Sequence, residues 1–382
     1  MSIKQLIEMI DGKAEKYYRI LEEVSNIESP TVFKEGVDRC GAYFVNFAKE
    51  KNWDVEVLHL KNAGNPICIT LNADSTNSPI VFSGHLDTVH PIGLFPTPAC
   101  KRDGDILYGP GVADCKGGVI AALLALEVLD ETNFKGRPVK LILQTDEETG
   151  SKTSGLKTVD FMIEKSKDAI AFFNLEHISP NNFCVLSRKG ILRYQFNVTG
   201  KAAHSSKCMD GVSAIAEAAH KILELEKYKD NEGITCNCGV ISGGTVANTV
   251  AEQCSFIADF RYPEEDEAKV MEIIETVAKT SYLNGADCSV EKISSRPGMA
   301  FAERNLDLLN RVNRIFAENG LPVYQYKHAN GGSDAAYVTK AGIPCIDNFG
   351  VVGAKIHSKD EYIELHSILD SAKRMAIPTV LL

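Results

Sequence analysis

Apolar positions along this chain come in two textures. In the first half they form short, nearly continuous runs: Pro66-Ile67-Cys68-Ile69-Thr70-Leu71, Pro79-Ile80-Val81-Phe82-Ser83, Val139-Lys140-Leu141-Ile142-Leu143-Gln144 and Ala169-Ile170-Ala171-Phe172-Phe173-Asn174-Leu175. Runs this short, without a polar face, predict strands buried on both sides. Between the second and third lies Val119 to Leu129, a stretch of apolar and small residues. It predicts a helix that is apolar all round and therefore buried. Strands of this kind linked by crossover helices imply a mainly parallel α/β sheet. From about Arg188 the pattern switches to alternation, as in Leu192-Arg193-Tyr194-Gln195-Phe196-Asn197-Val198, the signature of an antiparallel strand with one solvated face. A helix near 212–229, strands near 234–241 and 254–261, a helix near 265–283 and a strand near 288–293 complete a β-α-β-β-α-β order, the ferredoxin-like motif. The first texture then resumes, with a helix near 306–319 and an apolar run at 342–349. The expectation is one α/β domain made of residues 1–187 plus 296–382, interrupted by an α+β domain at 188–295.

A length of 382 residues suits such a division better than one core. Hydrophobic content of 44% and charged content of 24% are ordinary globular values. The net charge of −10 argues against nucleic acid or an anionic membrane as partner. No stretch reaches the roughly 18–20 apolar residues of a membrane span. Residues Met1 to Glu8 carry an acid and no long apolar core, so they do not read as a signal peptide. Eleven cysteines, an odd count without framework spacing, point to thiols in a reducing cytoplasm. Cys236 and Cys238 alternate with polar residues and read as strand packing.

The chemistry-bearing residues gather at predicted strand ends. His85 and Asp87 follow the run that ends at Ser83, and Asp114 closes a Gly-Pro-Gly-Val-Ala loop before the apolar helix. Glu147 and Glu148 follow the run ending at Gln144, Glu176 follows Leu175, and His357 follows the last apolar segment. In an open α/β sheet the carboxyl ends of the strands form the ligand-binding edge, so these distant residues are expected to converge. Any one of them alone reads more simply as a solvated surface group, and Glu147-Glu148 as a charged helix start. Five strand ends each delivering a ligand type read differently. Two histidines and several carboxylates form a mixed N/O donor set that suits zinc, with cobalt or manganese as alternatives. Without a cation that many acids would repel one another at a cost of several kcal/mol.

Three ordered segments carry a family resemblance: Gly84-His85-Leu86-Asp87-Thr88-Val89, Gly109-Pro110-Gly111-Val112-Ala113-Asp114-Cys115-Lys116-Gly117-Gly118 and Asp146-Glu147-Glu148-Thr149-Gly150-Ser151. They resemble the signatures of the zinc-hydrolase superfamily that contains acetylornithine deacetylase, succinyl-diaminopimelate desuccinylase, aminoacylase and glutamate carboxypeptidase. The Asp-Glu-Glu-x-Gly-Ser pattern leans toward the carboxypeptidase branch, whereas Glu176 stands where glutamate carboxypeptidases use Asp. The resemblance implies two Zn2+ per subunit. His85 and Glu176 would hold one, Glu148 and His357 the other, and Asp114 would bridge them through a segment with a cis Asp114–Cys115 bond. It further implies Asp87 as orienter of His85 and Glu147 as general base. His204 would be the oxyanion donor, placed in an inserted domain that serves as lid and homodimer interface. Asn248 and Arg261 resemble substrate- and carboxylate-contacting positions. Gly331, Gly332 and Ser333 open a helix whose N–H groups would favour a carboxylate, although an ordinary N-cap is the plainer reading. His90, His177 and His366 read as structural, and Cys115 as packing. The implied activity is hydrolysis of a peptide or N-acyl amide bond beside a free carboxylate. The substrate would be a small peptide or an N-acyl amino acid. A deacylase, a di- or tripeptidase, an aminopeptidase and, remotely, a non-catalytic binding protein are the alternatives.

Overall fold

The structure, a computed structural model, describes residues 2–178 and 181–382. The chain forms two compact units: Met1–Leu186 with Phe301–His328 and Tyr337–Leu382, and Ser187–Ala300 with Ala329–Ala336.

In the first unit a six-stranded sheet runs in the order Asp54–Val57, Ile67–Leu71, Val139–Gln144, Ile80–His85, Ala171–Asn174, Cys345–Ile346. The last four strands are parallel, as the buried runs predict. Ile67–Leu71 is also buried on both faces, yet it runs antiparallel to Val139–Gln144. The physical reason is the short link. Residues 72–79 are too few for a crossover helix, so the chain reverses direction before Ile80.

Helix Gly117–Glu131 connects two of the parallel strands, and every residue from Gly117 to Leu129 is buried. Its apolar surround is covered by the sheet, by helix Ala14–Ser25 and by the long helix His366–Leu381. Gly118 lets it approach: a Cβ there would sit 2.3 Å from the Leu175 carbonyl oxygen. The opening helices Ile3–Asp11, Ala14–Ser25 and Lys34–Glu50 lie beyond what the apolar runs disclose. The first has a legible start, a capping box in which Ser2 Oγ accepts the Gln5 N–H and Gln5 Oε1 accepts the Ser2 N–H. A small antiparallel sheet orders Gly353–Ala354, Tyr362–Glu364, Ile106–Tyr108 and Lys101–Asp103.

In the second unit four antiparallel strands lie in the order Thr235–Gly243, Gln253–Tyr262, Gly190–Thr199, Asp287–Arg296. Helices Ala214–Leu225 and Glu267–Lys279 complete the ferredoxin-like order. Along Gly190–Thr199 buried residues alternate with more exposed ones, as its period of two requires. Phe196 and Phe256 stack across the pair at 4.7 Å between ring centroids.

Candidate metal centre

The parallel register decides where the site lies. His85 ends the central strand directly opposite Gln144, and Ser83 lies opposite Asn174. The segments that leave these strands carry Asp87, Glu147-Glu148 and Glu176 from the same edge. His357 arrives separately, on the turn between Gly353–Ala354 and Tyr362–Glu364, with φ +61°. Asp114 comes from the loop before the buried helix, where Gly111 adopts φ +72° and the Asp114–Cys115 peptide is cis.

These residues meet. Asp114 turns one oxygen to each imidazole: Oδ1 lies 2.9 Å from His85 Nε2, and Oδ2 lies 3.1 Å from His357 Nε2. Glu148 Oε2 is 3.2 Å from the same His357 nitrogen, and Glu176 Oε1 is 3.9 Å from His85 Nε2. The donor atoms of His85, Asp114 and Glu148 all lie within 4.8 Å of one another. Cys115 joins His85 and Glu176 in a second such group. Its sulfur accepts the His85 backbone N–H at 3.0 Å, and burial pushes the thiol up to about 12, so it stays protonated at neutral pH.

The imidazole of His85 is oriented from behind. Nδ1 lies 2.9 Å from the Asp87 carbonyl oxygen, which can only accept, so Nδ1 carries a proton and Nε2 faces the carboxylates. The Asp87 carboxylate stands farther off, with Oδ1 at 3.5 Å from Nδ1. Its nearer partners are the Thr31 hydroxyl at 2.7 Å and the backbone N–H groups of Glu147 and Glu148, each at 3.2 Å. Asp87 therefore ties the Glu147-Glu148 turn to the His85 strand. Burial alone would raise its pKa, but the bonds from His85, Thr31 and the turn hold it below the usual carboxylate range.

The electrostatics are those of a site made for cations. Burial, then the negative charge of Asp114, pushes Glu176 well above the carboxylate range. Glu148 is pushed up to about 7 by burial, with Asp114 and Glu147 adding repulsion and the His357 contact opposing it. Burial acts the same way on Asp114, but the bonds from His357 and His85 outweigh it and hold that group far below. His357 rises to about 10 through its contacts with Asp114 and Glu148. A donor set of two imidazoles and at least three carboxylates fits divalent cations of the zinc type.

The remaining candidates lie in the second unit. His204 is exposed, and its Nδ1 accepts the Ser206 N–H at 3.2 Å, which leaves Nε2 as the donor nitrogen of the neutral ring. The Asn248 carbonyl accepts the Ser205 N–H at 2.9 Å, so His204 and Asn248 belong to one local structure. Arg261 spans Asp259 with two contacts, Nε to Oδ1 at 2.7 Å and Nη2 to Oδ2 at 3.3 Å, and Arg193 pairs with the same carboxylate. Ser333 is buried and caps helix Ala335–Lys340 through its Oγ, which accepts the Ala335 N–H at 3.2 Å. Gly331 offers its carbonyl to Arg188 Nη1 at 3.1 Å, and Gly332 packs against the side chain of Arg296.

Both of those arginines, along with Thr31 and Glu361, carry no motif in the sequence. Nothing in a lone arginine marks the loop it will face. Glu361 had a faint signal, four residues after His357. His90 lies 3.5 Å from Glu361 Oε2, and His366 pairs with Asp105.

Imidazoles and carboxylates gathered at the carboxyl edge of an α/β sheet form a donor set for divalent metal ions. The chain belongs to peptidase family M20/M25/M40, whose model matches residues 81–376. It is 30% identical over 361 residues to carboxypeptidase G2 of Pseudomonas sp. (strain RS-16), covering 92% of this chain and 85% of that protein. Two crystal structures share its fold. One is a tripeptidase from Staphylococcus aureus subsp. aureus Mu50, with TM-score 0.78, 23% identity, and coverage of 96% of this chain and 98% of that one. The other is aminopeptidase PepT from Bacillus cereus ATCC 10987, with TM-score 0.76, 24% identity, and coverage of 97% and 99%.

Proposed function

We propose that this protein is a dinuclear-zinc carboxypeptidase that cleaves a peptide or N-acyl amide bond beside a free carboxylate. One observation carries the reading: Asp114 presents one oxygen to each of two imidazoles, the arrangement of a carboxylate shared by two cations. His85 and Glu176 would complete one position, Glu148 and His357 the other. Divalent ions bound there would supply acidity to a water and polarise a carbonyl. Glu147, whose charge is felt at both Glu148 and Glu176, takes the proton of the attacking water and delivers it to the leaving amine. His204 donates its Nε2–H to the developing oxyanion. Arg261 and Asn248 would hold the substrate carboxylate and backbone, with the Gly331-Gly332-Ser333 turn as a further anion contact.

The commitment of Arg261 to Asp259 favours a second reading, a di- or tripeptidase in which another group recognises the substrate's end. An N-acyl-amino-acid deacylase uses the same machinery. Comparing N-blocked with C-blocked dipeptides separates all of these from an aminopeptidase: cleavage of C-blocked substrates alone would remove the carboxylate anchor. The base assignment is tested with Glu147→Ala, expected to abolish turnover with metal content intact. Asp114→Ala should lose metal.

A homodimer through the second unit is part of this proposal. Strand Thr235–Gly243 is the edge of its sheet, and Val240, Ile241, Ile215 and Leu223 are exposed on that strand and the helix beside it. Eleven free thiols support a reducing compartment, and no helix among the described residues is long and apolar enough to cross a membrane.

A further inference from the structure

The loop that presents Asp114 is held by a carboxylate that no role described above uses. Glu361 is 1% exposed. Its Oε1 accepts the backbone N–H groups of Ala113 at 2.9 Å and Asp114 at 3.1 Å, and its Oε2 accepts that of Gly111 at 3.2 Å. Its own carbonyl oxygen accepts the Gly109 N–H at 3.2 Å. The left-handed Gly111, at φ +72°, turns these N–H groups inward as an anion nest. His90 Nε2 adds a fourth side of the cradle at 3.5 Å from Oε2.

Glu361 also belongs to the hairpin that carries His357, just before the paired strand Tyr362–Glu364. One side chain thus joins the Asp114 loop to the His357 turn. Burying a carboxylate is costly unless its oxygens are satisfied, and here both are satisfied by this one loop.

We propose that Glu361 is a positioning residue of the metal centre: its carboxylate, seated on the Gly111, Ala113 and Asp114 N–H groups, sets the distance between Asp114 and His357 before any ion arrives. The inference rests on reading Asp114 as the shared ligand. Both carboxylate oxygens of Glu361 are taken up by the Asp114 loop, so it would act only through Asp114 and His357. Glu361→Gln keeps the volume but replaces one acceptor oxygen with an amide N–H₂, which sets donor against donor at the backbone N–H that oxygen held.

Two measurements test it. In the metal-free wild-type protein, hydrogen exchange should find the Ala113 and Asp114 amides protected. Exchange at open-loop rates would overturn the proposal, whatever the fate of the variant or of the metals. In Glu361→Gln, titration with a competing chelator should release one of two zinc ions about 10–100-fold more readily than in wild type. kcat should fall with KM little changed and recover on added zinc, while the circular dichroism of the metal-free protein stays native and its melting point falls only modestly, by the cost of the lost buried acceptor. Two zinc ions held as tightly as in wild type would overturn it. A wild-type protein that binds no zinc would sink the dinuclear reading itself, and the amide exchange would still judge the clamp.

Discussion

Protons and metal ions compete for the same atoms in this centre. His357, raised to about 10, holds a proton at neutral pH when no ion is present, Glu148, raised to about 7, is then partly protonated, and Glu176 lies above the usual range as well. Ligands bind metal only after losing those protons. The sign follows: metal uptake releases protons, and apparent affinity rises with pH and weakens as pH falls through about 7, where Glu148 becomes protonated. Calorimetry in buffers of different ionisation enthalpy measures the release, and heats independent of buffer would contradict it. Asp87 offers a second residue-level prediction. Its carboxylate holds two N–H groups of the turn that carries the proposed base and a ligand. Asp87→Ala is therefore expected to lower metal affinity by about 10–100-fold and kcat with it, measured by chelator titration and steady-state kinetics.

Among the elements, the buried helix Gly117–Glu131 is placed by close contact with the strand end that leads to Glu176. Gly118→Ala would push a methyl into the Leu175 carbonyl oxygen, 2.3 Å from the ideal Cβ. The expected cost is about 1–3 kcal/mol of stability, with weaker metal retention because Glu176 is the next residue. Thermal melting with and without metal checks both effects. In the second unit, helix Ala214–Leu225 is joined to the end of helix Glu267–Lys279 by a buried pair. Lys221 Nζ donates to the carbonyl oxygens of Val277 at 2.8 Å and Ala278 at 3.2 Å, and Glu217 accepts the N–H groups of Tyr282 and Leu283. Lys221→Met leaves the Glu217 carboxylate without its cation and should destabilise this unit by roughly 3–5 kcal/mol. Denaturant melts would show it, and an unchanged midpoint would count against the pair.

For the whole molecule, both proposed metal positions lie within one compact unit. Removing metal should lower the melting transition of that unit and leave a second transition in place, which calorimetry resolves. A single transition shifted as a whole would show the two units melting together. Much of this organisation was legible in the chain. The runs ending at Ser83, Gln144 and Leu175 marked parallel strands because a strand buried on both faces carries almost no polar residue. The alternation from Leu192 marked an antiparallel sheet because one of its faces meets water. The residue types at the strand ends, and the motifs around His85, Asp114 and Glu147, marked a metal hydrolase. Spacing along the chain specifies which face a residue takes and which elements form, since those depend on local periodicity. Tertiary structure alone decided the rest. It reversed Ile67–Leu71, brought His357 to Asp114 across more than half of the chain, assigned the Asp87 carboxylate to the Glu147-Glu148 turn, and committed Arg261 to Asp259. It also seated Glu361 under the Asp114 loop. Each of these is a contact between segments distant in sequence or a choice of hydrogen-bond partner, and such choices are settled only when packing brings the groups within about 3 Å of one another.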